Sequence, residues 1–585
     1  MRNANAHYLK VLTIGLPLFL YGFIFRSLLL NIHTHLLDWF DFPYYAWTLN
    51  QNIQHFRNGT LENFFSTNIY YPHQGTLLFS DLLLPQSLMG LTFSIFTDNP
   101  ITIVNLVFFL TFAGNVLAFY FFWHQLFQKQ TTIFLLTFLS AFAPFLFLQL
   151  GHLQMITFWP FFLALGLVIH QSRGWQKAIL VGLLTTLQFT ASVYLGIFLL
   201  VVIGLWAGLE LITKYLVTRR SQAQLRKVLL NSFVFYLLLG VCYLATNGFF
   251  IYHYLVIKNE YQITRLYGEY VVYAAHFTDY LFIPFDSIGH RVTSAWQKFN
   301  HHGVGELASY PGTVVAFLSL LGAFAFKSSH KEWSLSFKPT VTHQFFSLLL
   351  IAGFIFSLGP RLVVNGQYTT IPLPYHLVLK SIPLLEPIRA TARWSFLMYL
   401  GLLYFVGHGF EKLNLSHFKK WLTLGFVCSL YVIEMVPLTK ATQAQAYYHA
   451  SYDVLTTECS SQPQVLLEYP LTESHAEASV VSNLSYRTQL MLASTRHGCL
   501  LVNGYSGFEP REYSLYEQAL TSAVVNAERQ RFFTLLDQKD VTYFKLNDAH
   551  LASESATLIS DWLEATTSAR MMIADPTTQI YHLTP

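Results

Sequence analysis

Repeated apolar runs of helical length dominate the chain, and that feature alone restricts it to few folds. The runs lie near residues 9–30, 101–125, 131–150, 154–170, 177–191, 193–213, 228–250, 312–326, 343–358, 393–411 and 420–437. A helix needs about 20 apolar residues to cross a bilayer. The pattern therefore predicts an α-helical polytopic membrane protein with about eleven spans, bounded to within roughly 2–4 residues. Only 11% of the residues are charged, against roughly 25% in a soluble globular chain. The first run is too long for the apolar core of a secretory signal and no small-residue cleavage site follows it, so it reads as a retained helix.

Basic short loops mark the cytoplasmic side of such a protein. Here they are 173–177, 214–227 (with Arg219, Arg220 and Arg226), 327–338 and 412–420. The apolar stretch 177–213 is too long to cross once. Splitting it near Ala191 and Ser192 leaves Lys177 and the Arg219/Arg220 cluster on one side. The stretch 82–96 is apolar but short, holds Pro85 and Gly90, and reads as a juxtamembrane or re-entrant helix. The N-terminus is then cytoplasmic. The outer face carries the loops 31–100, 251–311 and 359–392 and a tight turn at Gly151 and His152.

From about residue 439 the composition becomes that of a soluble domain. Residues 441–585 hold 16 acidic and 8 basic side chains, a balance of −8, which leaves +12 of the net +4 on residues 1–440. That positive charge sits in the short loops and carries orientation, not nucleic-acid binding. The segments 464–468, 499–502 and 541–545 read as strands, and 514–527 and 551–564 as helices. Residues 504–510 (GYSGFEP) read as a turn-rich loop. The expectation is a transmembrane domain over 1–438 followed by a small extracytoplasmic α/β or α+β domain over 439–585. Cys459 and Cys499 fall in that second part and can pair if it meets an oxidising compartment. Cys242 and Cys428 lie in apolar runs and read as small fillers.

The stretch 31–81 is where chemistry is concentrated. It is aromatic and rich in His, and carries Asp38, Asp41 and Glu62 before Asp81. A carboxylate just outside a membrane helix can take a proton from an incoming hydroxyl, or hold a divalent cation against a phosphate. It can equally be a helix cap. Trp47 and Tyr71 suit the apolar faces of a sugar or an isoprenoid chain. His152 and Gln154 sit at the turn between two apolar runs. Arg389 and Arg393 follow a Pro-rich outer segment, and the guanidinium fork pairs well with a phosphate. Asp81 and Glu306 are membrane-edge carboxylates suited to an acceptor cleft, and Tyr505, Glu509 and Arg511 to its lip. No P-loop, dinucleotide fingerprint or nucleophile elbow occurs in a supporting context, and the histidines lack the spacing of a zinc motif.

Several runs, in this order, resemble a bacterial branch of the GT-C superfamily of polytopic glycosyltransferases. They are Asp41 with Trp47, IYYPHQGTLLFSD (69–81), QLGHLQMITFWPFFLAL (149–165), SYPG (309–312), FSLGP (356–360), PIRATARW (387–394) and LVNGYSGFEP (501–510). The resemblance covers nearly the whole chain. It implies a polyprenyl-phosphate-linked sugar donor and a glycan, lipid or protein acceptor on the outer face of a bacterial inner membrane. It also implies that Asp41 is the general base, with Asp38 as its competitor. Many members carry a second-loop carboxylate near a metal. This chain has Gly151, His152, Leu153 and Gln154 there, which leaves Mg or Mn an optional cofactor. The competing classes are a transporter or flippase of lipid-linked intermediates, which would line a path with mid-helix charges, and an inactive scaffold of the same fold.

Overall fold

The computed structural model describes residues 2–584 apart from 171–172, 219–221, 282, 284–286, 294–308, 330–336, 365–366, 383–384, 414–415, 438–440, 445–446, 448, 474–478 and 576–577. Arg219, Arg220 and Glu306 lie outside the described residues. The chain forms two compact units. One comprises Met1–Arg26, Phe109–Ile251 and Thr264–Thr439, the other Ser27–Phe108, Tyr252–Ile263 and Lys440–Pro585.

The first unit is helical, with one short hairpin of Arg361–Val364 and Gln367–Pro372. Every apolar run given above overlaps at least one helix of the chain. Among the described residues four helices are long and apolar enough to cross a membrane: Pro100–Leu126, Gln130–Leu148, Val193–Leu216 and Leu229–Glu260. Shorter apolar helices accompany them, including Trp159–Ile169, Thr313–Phe324 and Val341–Ser357. Large apolar side chains such as Phe317, Phe324 and Phe426 point outward and are exposed, the signature of a surface solvated by lipid. The protein belongs in a membrane.

Close packing in this unit runs through glycine. A Cβ on Gly322 would lie 1.9 Å from the Phe405 carbonyl oxygen, and one on Gly353 would lie 2.3 Å from the Met398 nitrogen. Small residues let helix backbones approach where lipid supplies no hydrophobic drive for association.

The runs are less continuous than their hydropathy suggests. The first helix ends at Ile24 and resumes as Arg26–Leu30. The run 131–150 breaks before Pro144, whose ring pushes Ala143 to ψ 138°, out of the helical region. The next helix begins at Trp159 and not near 154, with Pro160 in its first turn. Residues 149–158 are therefore turns among apolar helices, and their backbone needs partners from protein. Asn115 and Gln188 supply them. The Phe158 N–H donates to Asn115 Oδ1 (2.9 Å), and Asn115 Nδ2 donates to the Ile156 carbonyl (2.7 Å). Gln188 accepts from the Phe161 N–H (2.9 Å) and donates to the Thr157 carbonyl (3.1 Å).

The second unit joins the stretch 27–108 to the C-terminal residues in one fold. Its five-stranded sheet has the order Leu500–Leu501, Val465–Tyr469, Tyr543–Asn547, Thr578–Leu583, Ala569–Asp575. The first three strands are parallel and the last two antiparallel. Residues 68–71 run along its edge: the Tyr71 N–H donates to the Leu501 carbonyl (2.9 Å) and the Leu501 N–H to the Asn68 carbonyl (2.6 Å). His35–Leu36 pairs antiparallel with Thr442–Gln443. The helix Asp41–Asn58 packs against Val480–His497 and Leu84–Phe93. A disulfide joins Cys459 to Cys499. Sequence patterning finds the three parallel strands and the helices Arg511–Val525 and Ser553–Glu564. It misses Tyr452–Ser461, Val480–His497, Arg529–Asp537 and the antiparallel pair.

Candidate functional site

In the second unit the acidic stretch is organised by a helix start. Asp38 Oδ1 accepts hydrogen bonds from the backbone N–H groups of Phe40 (2.9 Å), Asp41 (3.0 Å) and Phe42 (3.1 Å). One carboxylate thus satisfies three amides that a helix leaves without intrahelical partners. Burial pushes Asp38 up to about 6, against the lowering effect of those three bonds. Asp41 is the first residue of the helix Asp41–Asn58 and is half-buried. A carboxylate there is favoured by the helix dipole.

One turn on, Tyr44 is buried, and its hydroxyl lies 3.4 Å from Ser506 Oγ. Burial raises the Tyr44 hydroxyl, hydrogen bonds from Ser506, Ser80 and Thr48 oppose the rise, and the charge of Asp81 adds to it. Asp81 thereby shares the neighbourhood of the Asp41 helix. Tyr71 is half-buried on the edge strand. Trp47 departs from the sugar-stacking role. It is 1% exposed, and its indole N–H donates to Asn68 Oδ1 (3.0 Å), which also accepts from Gln51. Asn68 in turn donates to Ser494 and the Cys499 carbonyl, so Trp47 pins the loop to the sheet and presents no free face.

The GYSGFEP loop is also more structural than its sequence suggests. Glu509 pairs with Arg487 (2.5 Å) and accepts from Ser514 (2.7 Å), and Arg487 holds the Gly504 carbonyl. Arg511 opens the helix Arg511–Val525. Tyr505 packs edge-on against Tyr44.

In the first unit a second constellation forms around Tyr194, near the start of the helix Val193–Thr218. Its hydroxyl accepts the backbone N–H groups of Arg389 (2.9 Å) and Ala390 (3.2 Å). The Arg393 guanidinium, 7% exposed, lies 4.7 Å from the centre of the Tyr194 ring. Arg389 reaches Glu269 (3.5 Å), which also faces Arg265 (3.7 Å), and stacks over Tyr273. The His152 turn converges on the same helix start. Ser192 Oγ lies 3.5 Å from the Met155 sulfur, and the His152 carbonyl accepts the Met155 N–H (2.8 Å). Gln154 is buried in that turn rather than on the following helix. The turn that carries His152 and Gln154 thus meets, through Met155, the residue just before the helix whose Tyr194 holds the Arg389 and Ala390 amides. Tyr194 and Glu269 escape sequence reasoning, although the polar break at Ser192 in a long apolar run is the signal that locates Tyr194.

Among the described residues no three His, Cys, Asp or Glu side chains gather closely enough to hold a metal ion.

No curated protein matches the chain. Among solved structures, the cryo-EM structure of arabinofuranosyltransferase AftD from Mycobacteria aligns over 99% of this chain and 40% of its own, with TM-score 0.56 and 11% identity. A mutant of AftD aligns over 98% and 41%, with TM-score 0.56 and 10% identity. Archaeal oligosaccharyltransferase AglB from Archaeoglobus fulgidus aligns over 97% and 74%, with TM-score 0.48 and 11% identity. At such identities the likeness is one of fold, carried by the AftD structures, and the chain spans less than half the length of AftD. The model of a family described as "Domain of unknown function (DUF6311)" matches residues 25–436, and the chain belongs to that family.

Proposed function

We propose that the protein is a membrane glycosyltransferase of the GT-C type that moves a sugar from a polyprenyl-phosphate donor to an acceptor hydroxyl. Asp41 takes the proton of that hydroxyl as its oxygen attacks the anomeric carbon. The bond from that carbon to the phosphate oxygen breaks with inversion, and polyprenyl phosphate leaves. In the first unit, Tyr194 fixes the loop that carries Arg389 and Arg393, whose guanidinium forks suit the phosphate of a lipid-linked donor. His152 and Gln154 lie on another turn of that unit and offer further polar contacts to such a donor.

The observation that carries this reading is the division of labour at one helix start. Asp38 is committed to three backbone amides, while Asp41, the next acid, is held in the first helical turn by that same cap. The shared fold with AftD supports glycosyl transfer as the reaction class. The disulfide supports an outer-face placement for the second unit, because such bonds persist in oxidising compartments. The cell envelope of a bacterium, with the N-terminus cytoplasmic, fits both.

The test uses purified protein in lipid nanodiscs with a panel of radiolabelled polyprenyl-phosphate sugars. Wild type transfers or hydrolyses at least one donor. Asp41→Asn loses turnover while still binding donor, and Arg389→Met raises the donor KM. Equal turnover in wild type and Asp41→Asn removes Asp41 as the base. Lipid binding or flipping without turnover, across the whole panel, replaces the enzyme with a transporter or scaffold.

A further inference from the structure

The second unit contains a cavity of about 620 Å³ lined by none of the residues given a role above. Its wall includes Trp39, Glu473, Tyr486, Gln489, Lys545 and His550. That volume lies within the range that encloses a small organic ligand.

The charges in the wall are matched in pairs. Lys545 Nζ meets Glu468 (2.7 Å) and the Tyr452 hydroxyl (2.6 Å), with Glu468 fully buried. His550 Nδ1 lies 2.7 Å from Glu473 Oε1. One atom breaks the pattern: Glu473 Oε2 is buried and has no hydrogen-bond partner among the described residues, on a residue only 9% exposed that lines the cavity. A buried carboxylate oxygen left without a donor is unfavourable by about 1–3 kcal/mol or more, and a ligand hydroxyl placed there removes that deficit. Trp39, half-exposed at 52%, offers a flat apolar face, and Gln489 adds an amide. A flat apolar ring, an amide and one acceptor oxygen among paired charges suit a neutral, hydroxyl-rich ring. A cationic peptide side chain would instead meet Lys545 and His550.

The cavity also shares wall residues with the neighbourhood of the helix cap. Trp39, Thr442, Gln443 and Gln489 line both this cavity and a small void beside Asp38, the cap of the helix that begins at Asp41. We propose that this cavity binds the acceptor as a neutral saccharide, with a sugar hydroxyl donating to Glu473 Oε2 and a sugar face on Trp39. The assignment of the ligand as acceptor rests on the glycosyl-transfer reading; the saccharide site itself does not.

The test is saturation-transfer NMR and calorimetry on the full-length protein in nanodiscs. The probes are a panel of hexose and pentose trisaccharides, with the tripeptide Ala-Lys-Ala as the contrasting arm. At least one trisaccharide binds. Glu473→Gln and Trp39→Ala each weaken it at least tenfold, with thermal unfolding confirming that both variants fold. Gln489→Ala, at the shared wall, serves as a second probe if either does not. No trisaccharide binding, affinity unchanged in Glu473→Gln and Gln489→Ala, or binding of the tripeptide alone overturns the proposal. If Asp41-dependent transfer survives that result, only the cavity assignment falls.

Discussion

One buried polar cluster from each unit shows two ways of satisfying such groups. In the helical unit, a pair of amide side chains repairs backbone. Asn115 and Gln188 bond the backbone of residues 156–161, where the turns pass into the helix that holds Pro160 in its first turn, and each bonds main chain at both ends of its amide. In the sheet-bearing unit, one group of polar side chains bond one another. Glu468, Lys545 and Asn547 on neighbouring strands form a network with Tyr452 on the helix Tyr452–Ser461, and Asn503 fixes the Glu468 backbone on both sides. Where the solvent is lipid, every backbone break must be answered locally. Where water is near, side chains are available to build a cavity and to leave Glu473 one uncommitted oxygen.

Breaking the second kind of network has the largest expected effect. Lys545→Met strands Glu468 in the interior and destabilises the unit by about 3–5 kcal/mol. The double change with Glu468→Leu recovers most of that loss, as read by chemical denaturation. A full loss in the double change would mean that the pair itself, and not the stranded charge, sets the stability. Removing the disulfide through Cys459→Ala and Cys499→Ala lowers stability by about 2–5 kcal/mol, seen as a lower unfolding temperature under non-reducing conditions. In the helical unit, Asn115→Leu leaves the Phe158 N–H and the Ile156 carbonyl without their partner. It lowers the melting temperature in detergent by the equivalent of about 1–3 kcal/mol.

The smallest effect concerns pH. Burial holds the Asp38 carboxyl near 6, above its unfolded value, so the folded state binds more protons across that interval. Stability tied to Asp38 is therefore fully present below the unfolded pKa and is lost as pH rises toward 6. Asp38→Asn keeps a competent cap and flattens that part of the pH–stability profile. Asp38→Ala also removes the cap and lowers stability by about 1 kcal/mol. His497 acts in the opposite sense: burial, then Lys545, push it down to about 3, so its contribution is present above pH 6.5 and declines on acidification.

What the sequence made legible follows the same division. Apolar runs predict helices because lipid selects long hydrophobic segments, and the prolines at 144 and 160 already mark where two runs break. The short parallel strands are legible as β-branched and aromatic runs between turns. The union of stretch 27–108 with the C-terminal residues is not, because it rests on pairings such as His35 with Gln443 and Asn68 with Cys499, hundreds of residues apart. The helix Val480–His497 is missed because Ser485, Thr488 and Ser494 lie on its buried side and Val480 and Val481 on its exposed side, so no clean apolar stripe marks it. Asp38 and Asp41 stand out by position, but which of them caps the helix is a matter of backbone geometry. Glu473 and His550 are separated by 77 residues, and neither carries a local signal.

The measurement that bears most directly on the account is single-turnover transfer by Asp41→Asn and Asp38→Asn side by side, in nanodiscs with a saturating donor. Loss of a positioned general base lowers the chemical rate about 10²–10⁴-fold. The account predicts a loss of that size for Asp41→Asn with donor affinity kept, and a rate close to wild type for Asp38→Asn. The reverse order, or equal rates in wild type and Asp41→Asn, would contradict it.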